Sequence, residues 1–223
     1  MAWAARAKNT LAAGECQDSP GALPCSRCAR RSARPSCSPW RSRLDPTCAA
    51  PLWADEFDGS TAGWKIDLRE GETSGGALAL HPSRLDAPAL AIHAFEAEDF
   101  VAETRVRVGA GSTDNGYGIV VGDAHDLIAF LVSGDGYFSV MRRESGNWVV
   151  AQPWRQWPHI RRGDAPNTLG LECRGDTCAF YVNDEITTQV EMAGQRDAIG
   201  LAAWRYAEES LEAEFEYLKV WGN

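Results

Sequence analysis

The stretch NGYGIVVGDAHDLIAFLVSGDGYFSVMRRESGNWVVA (residues 115–151) decides the fold. Four short apolar runs, YGIVV (117–121), LIAFLV (127–132), YFSVMR (137–142) and NWVVA (147–151), alternate with GDAHD (122–126), SGDG (133–136) and ESG (144–146). The runs are rich in β-branched and aromatic residues and too short for helices. The links are turn chemistry, because Gly supplies φ > 0 while Asp and Ser bond back to the main chain. Strands joined by turns this short pair antiparallel, so the segment predicts a meander.

The same text continues on both sides. Upstream, FVAETRVRV (100–108) sets Phe100, Ala102, Thr104, Val106 and Val108 on one face and Glu103, Arg105 and Arg107 on the other. Downstream come TLGLEC (168–173), CAFYVN (178–183), ITTQVEM (186–192), IGLAAWR (199–205) and LEAEFEYLKVW (211–221). The last has helical propensity, but Glu212, Glu214 and Glu216 recur with period two, which is a strand. About twelve strands with turn signals between them and no persuasive helix predict an all-β, antiparallel, two-sheet sandwich.

The chain changes character near Pro46 to Pro51. Residues 1–49 are rich in Ala, Arg, Ser and Pro and show no periodicity, so they are expected to form a disordered or poorly structured leader. The sandwich is expected to occupy 50–223. The formal net charge of −9 divides between the two parts. Residues 1–48 carry +5 (eight Lys/Arg, three Asp/Glu) and the remainder −14 (fourteen against twenty-eight). An acidic body repels a phosphate backbone, which argues against nucleic acid as a partner. No apolar run reaches membrane-spanning length, and no uninterrupted apolar core makes the first residues a secretory signal.

Five cysteines (Cys16, Cys25, Cys28, Cys37, Cys48) lie in the leader. Cys25-x-x-Cys28 offers a single knuckle, whereas a structural zinc ribbon needs two, so no metal is assigned there. The other two, Cys173 and Cys178, flank the turn RGDT. Pairing of their strands would face the sulfurs across a hairpin, and a disulfide is expected over two free thiols. Such a bond persists outside the cytosol, which points to an extracellular, periplasmic or cell-surface location.

In order, DEFDG (55–59), Trp64, GGALAL (75–80), DFVAETRVRV (99–108), NGYGIVV (115–121) and GDGYFSV (134–140) resemble the concanavalin A-like lectin/glucanase superfamily. So do PNTLGLECRGDTCAFYVND (166–184) and FEYLKVW (215–221). The likeness is greatest to bacterial laminin-G-like and DUF1080-type jelly rolls, and it covers nearly all of 52–223. It implies a jelly-roll sandwich and a carbohydrate-related role. DEFDG is also similar to the opening of family 16 glycoside hydrolases, whose Glu-x-Asp-x-x-Glu strand sets acidic side chains in one cleft. That strand is missing here, and no catalytic residue is assigned.

The expected function is therefore a non-catalytic extracellular binding module for a polysaccharide or cell-surface glycan, with a protein partner as a further option. A DUF1080- or glucanase-type hydrolase, tested through Glu103 and Glu172, is the alternative, and a structural spacer is the third. Nine tryptophans are a high number for this length. Trp64 and Trp221 are expected in the core, near the two ends of the domain. Tyr117, Tyr137, Arg142, Trp148, Trp154, Arg155, Trp157 and Trp204 form the candidate binding surface, because sugar C–H faces stack on flat rings while hydroxyls bond polar groups. Trp154 and Trp157 draw attention because PWRQWP (153–158) is bounded by prolines that disfavour regular pairing. No cofactor is implied. Calcium is the one ion left open, through Asp55, Glu56 and Asp58 or Asp114 with Asn115, since hard cations take oxygen ligands. The acidic run Glu208, Glu209, Glu212, Glu214 and Glu216 reads as a solvated outer face. His81, His93, His125 and His159 share no spacing, and no nucleotide or nucleophile motif occurs.

Overall fold

The computed structural model describes residues 50–67, 69–123, 126–194, 196–206 and 208–222. The leader with its cysteines and expected disorder, and His125, lie outside the described residues. Every regular element described is a strand.

One sheet runs β13 (Glu185–Glu191), β12 (Thr177–Val182), β11 (Asn167–Arg174), β6 (Phe100–Gly111), β15 (Leu211–Gly222), β4 (Ala77–Leu80) and β3 (Gly71–Ser74). A further strand, β1 (Trp53–Asp55), adds to β15. The second sheet runs β10 (Asn147–Gln156), β9 (Tyr137–Glu144), β8 (Leu127–Ser133), β7 (Gly116–Gly122), β14 (Ala198–Trp204), β5 (Ala89–Ala94) and β2 (Trp64–Ile66). All pairings are antiparallel.

The meander read in the sequence is β7 to β10. The short strands β1, β2 and β3 escape sequence reading because three or four residues establish no period. PWRQWP departs from expectation: β10 continues through Pro153 as far as Gln156, with its register slipping between Val150 and Gln152 and again before Arg155. An edge strand tolerates this, since one row of its backbone groups has no neighbour to serve.

Strand β15 is the spine of the eight-stranded sheet. It pairs with β6 along its whole length on one side. On the other, Ala213–Phe215 pair with β4 and Leu218–Val220 with β1. Its inward residues Ala213, Phe215, Leu218 and Val220 are fully buried with Phe100, Ala102 and Val106 of β6. Across the sandwich, Phe180 of β12 meets Phe130 of β8 with ring centroids 5.1 Å apart. Trp64 lies in this core, its Nε1 donating to Asp55 Oδ2 at 2.8 Å. Trp221 does not, because Val220 takes the inward position and alternation turns Trp221 outward. The acidic run lies where alternation sends it: Glu214 pairs with Arg107, and Glu216 with Arg105 at 3.2 Å, on the outer side. Exposed pairs of this kind contribute little to stability.

Cys173 and Cys178 are register partners and are bonded, with Cα atoms 4.1 Å apart. Both sulfurs belong to the core. The closed loop is short, so replacing both cysteines by Ala is expected to cost about 2 kcal/mol, measured as a lower urea midpoint that reductant reproduces in the parent.

Tyr117, expected on a binding surface, is wholly inside the sandwich. Alternation along β7 places it with Ile119 and Val121 against the opposite sheet. Burial pushes its phenol well above the ordinary tyrosine range, partly offset by the Asn167 side chain. A raised folded-state pKa stabilises the fold below the unfolded value, near 10, and that contribution is lost as pH rises above it. Burial raises Tyr206 as well, so alkaline titration followed by phenolate absorbance should show two of the five tyrosines ionising late, and Tyr117→Phe should remove about half of that late step.

Candidate functional site

The outer face of the seven-stranded sheet is read from its register. Across the strands, Trp148, Arg143, Leu127, Gly122, Ala198 and Ala94 make one row. The next row holds Met141, Ala129, Val120, Gly200, Ile92 and Lys65. A third has Ser139, Leu131, Gly118, Ala202 and Leu90, and the last Ser133, Gly116 and Trp204. This face is apolar. Val120, Ala129, Leu131, Met141, Ala202 and Trp204 form a second buried cluster, with Leu90, Ile92, Trp148 and Trp154 packed on it.

The cluster exists because the sheet curls. Trp148 and Trp204 stand six residues apart along β14's direction and four strand spacings apart across the sheet. On a flat sheet that is roughly 27 Å, from about 3.3 Å per residue and about 4.8 Å per strand. Their ring centroids are 5.4 Å apart, edge to face. The face is therefore strongly concave, and the two indoles meet over its floor.

Trp204 also stacks on Tyr206 at 5.4 Å, and Tyr206 meets Trp154 edge-on at 5.6 Å. Two polar contacts hold this group. Trp204 Nε1 donates to the Leu85 carbonyl at 3.1 Å, and the Tyr206 backbone N–H donates to Asn115 Oδ1 at 2.8 Å. The floor must be thin beneath it. A Cβ on Gly116 would lie 3.1 Å from Tyr206 Cε2 and 3.2 Å from Trp154 Cη2. A Cβ on Gly118 would lie 1.9 Å from the Phe130 carbonyl oxygen.

Beside the aromatic group the concave face stays open as a groove of about 720 Å³, within the usual size of small-ligand sites. Leu90, Ile92, Ala94, Leu127 and Ala198 floor it. Lys65, Arg143, Glu96, Asp123 and Asp197 contribute its polar lining. Asp123 is held in a turn, where its Oδ1 accepts the Asp126 N–H at 2.7 Å. Phe95 and Asp197 are tied by a backbone bond of 2.8 Å, which fixes the Glu96 loop to the start of β14.

Of the eight candidate surface residues, the fold brings together Trp148, Trp154 and Trp204. Tyr206 and Asn115 complete their setting; Tyr206 gave no sequence signal beyond an aromatic two residues after Trp204, and Asn115 entered the sequence reading only as a calcium candidate. Trp157 sits apart, packed on the main core with Phe138 at 6.0 Å, because it follows Trp154 by three residues and alternation sends it to the other side. Tyr137 and Arg155 lie at the opposite end of β9 and β10 from the groove. Arg142 points away from Arg143 and spans the two sheets, its Nη2 donating to the Glu191 carbonyl at 2.8 Å.

The hydrolase candidates Glu103 and Glu172 lie on the outer face of the eight-stranded sheet. Tyr217 donates to Glu103 at 2.9 Å, Tyr181 to Glu172 at 3.0 Å, and Arg174 pairs with Glu172 at 2.7 Å. They are on the far side of the sandwich from the groove. Four of the five calcium candidates have structural partners, Asn115 through the Tyr206 N–H. Asp55 accepts from Phe57 N–H and Trp64, and Asp114 accepts from the Ser112 hydroxyl at 2.5 Å. Lys219 bonds Glu56 at 2.7 Å and holds its carboxyl below the usual range. Among the described residues, no three His, Cys, Asp or Glu side chains converge as a metal set.

No protein-family profile matches the sequence, and no curated relative matches it. Solved structures do match. The GH43 protein BlXynB of Bacillus licheniformis matches 76% of this chain with TM-score 0.60 and 15% identity. This chain spans only 39% of that protein's length. The β-glucanase of Bacillus licheniformis matches over 79% of this chain and 100% of its own, with TM-score 0.56 and 9% identity. A glycosyl hydrolase family protein of Mycobacterium fortuitum gives 0.54, 13% identity, and 78% and 100% coverage. The fold is the concanavalin A-like jelly roll.

Trp204→Ala should cost about 3–5 kcal/mol, as for other buried tryptophans, and erase the coupled-indole signal in near-ultraviolet circular dichroism. Gly118→Ala should destabilise more than Gly116→Ala in the same chemical melts, because its Cβ meets a main-chain carbonyl and not movable rings.

Proposed function

We propose that this chain is a non-catalytic glycan-binding module acting outside the cytosol, and that the ligand lies in the groove beside the tryptophans. The observation that carries this reading is the concave face itself. An apolar floor flanked by packed indoles and a mixed-charge lining suits a sugar, whose C–H faces seek apolar surface and whose hydroxyls seek polar partners. The carbohydrate-active names among proteins of the same fold are consistent with it, although a fold hosts many functions. The Cys173–Cys178 bond favours an oxidising compartment.

A hydrolase is the second reading. What favours it is the presence of Glu96, Asp123 and Asp197 around the groove, since paired carboxylates are the means of glycoside hydrolysis.

Affinity electrophoresis of the full chain through gels cast with β-glucan, xyloglucan, arabinoxylan, galactomannan or mucin glycans separates these readings. At least one gel is expected to retard the protein. Arg143→Ala and Asp197→Asn should each weaken that retardation tenfold or more, about 1.4 kcal/mol, with thermal melting unchanged. Release of reducing ends, lost on Glu96→Gln, Asp123→Asn or Asp197→Asn, would establish the hydrolase instead. Free mobility in every gel would remove the glycan reading.

A further inference from the structure

We infer that the groove accepts the end of an uncharged glycan chain and excludes chain interiors, and that the Trp148–Trp204 contact imposes this choice. The inference rests on the glycan-binding reading of the same face. A concave sheet open from edge to edge would let a polymer lie across every strand, with sugar rings entering on one side and leaving on the other. Here that path is interrupted. Trp148 is the register partner of Arg143, so it stands at the β10 end of the row whose Leu127, Ala198 and Ala94 floor the groove. From there its ring reaches Trp204, 5.4 Å away, across the middle of the face.

The interruption is continuous. Trp204 stacks on Tyr206, and Tyr206 meets Trp154, so the rings extend as a bank from β10 to the end of β14. Leu90 and Ile92 belong both to the groove floor and to the cluster beneath the bank. The apolar surface thus runs up to the rings and stops against them. The remaining volume, about 720 Å³, matches a small ligand of roughly two or three sugar rings and not a long polymer.

The charge argument sets the ligand class. Three carboxylates and two cations line the groove, and the chain from residue 49 onward carries −14. A polyanionic glycan would approach against that field, whereas an uncharged one is indifferent to it.

The test is calorimetric titration of the full chain with whichever polysaccharide retards it, cut to fractions of graded length. End recognition predicts a single protein bound per chain at every length, so that capacity per gram rises in inverse proportion to chain length. Protein bound per chain rising with length would overturn the inference while leaving glycan binding intact. Absence of binding to every polysaccharide of the panel would overturn the glycan reading and this inference with it. Trp148→Ala removes the bank where it closes the groove, and it is expected to convert the stoichiometry to a length-dependent one. If that variant fails to fold, the length series on the parent protein decides alone. The uncharged class is checked on the same fractions after carboxymethylation, which should weaken binding at least tenfold at low salt; unchanged affinity would overturn that part.

Discussion

The central strands of the seven-stranded sheet must be covered on both faces. Every residue of β7 and β8 is buried, although only one face of each meets the opposite sheet. Strands of this kind read as continuous apolar runs without alternation. Two different covers meet the requirement. The inner face takes the ordinary sandwich core. The outer face is covered by its own curvature, which brings tryptophans from an edge strand and from the end of β14 over the middle of the floor.

The glycines follow from that curvature. Gly118 and Gly200 sit where an added Cβ would meet a neighbouring strand's carbonyl, at 1.9 and 2.1 Å. Gly116 leaves room for the Trp154 and Tyr206 rings. A floor this thin lets the aromatic bank settle close to the sheet, and what the bank leaves open becomes the groove. Polar anchors then fix the rings, through the Leu85 carbonyl and Asn115. The groove's shape is in this way a consequence of packing, and its chemistry comes from the loops that flank the strand ends.

The two sheets divide the labour. The eight-stranded sheet uses its outer face for Arg–Glu and Tyr–Glu contacts, with β15 as the spine that pairs with β6, β4 and β1. A face so engaged leaves its carboxylates bonded to neighbours: Glu103 is only 4% exposed and accepts from Tyr217. The seven-stranded sheet carries the larger groove, about 720 Å³ against about 470 Å³ on the outer face of the eight-stranded one.

The sequence by itself determined the class of fold, the meander of residues 115–151, the inward and outward faces of β6 and of β15 as far as Phe215, and the pairing of Cys173 with Cys178. These depend on alternation and on turn residues, which are local. Tyr117 shows the limit, because a run apolar on both faces carries no sign of which face meets the core. Trp221 shows another, since the register shift between Phe215 and Tyr217 reverses the alternation along β15 and no residue type announces it. Only the tertiary structure decided that Trp148, Trp154, Trp204 and Tyr206 form one bank and that Lys65, Glu96, Asp123, Arg143 and Asp197 surround one groove. The physical reason is that curl accumulates over five strands, and the contact between Trp148 and Trp204 joins positions far apart in both register and sequence.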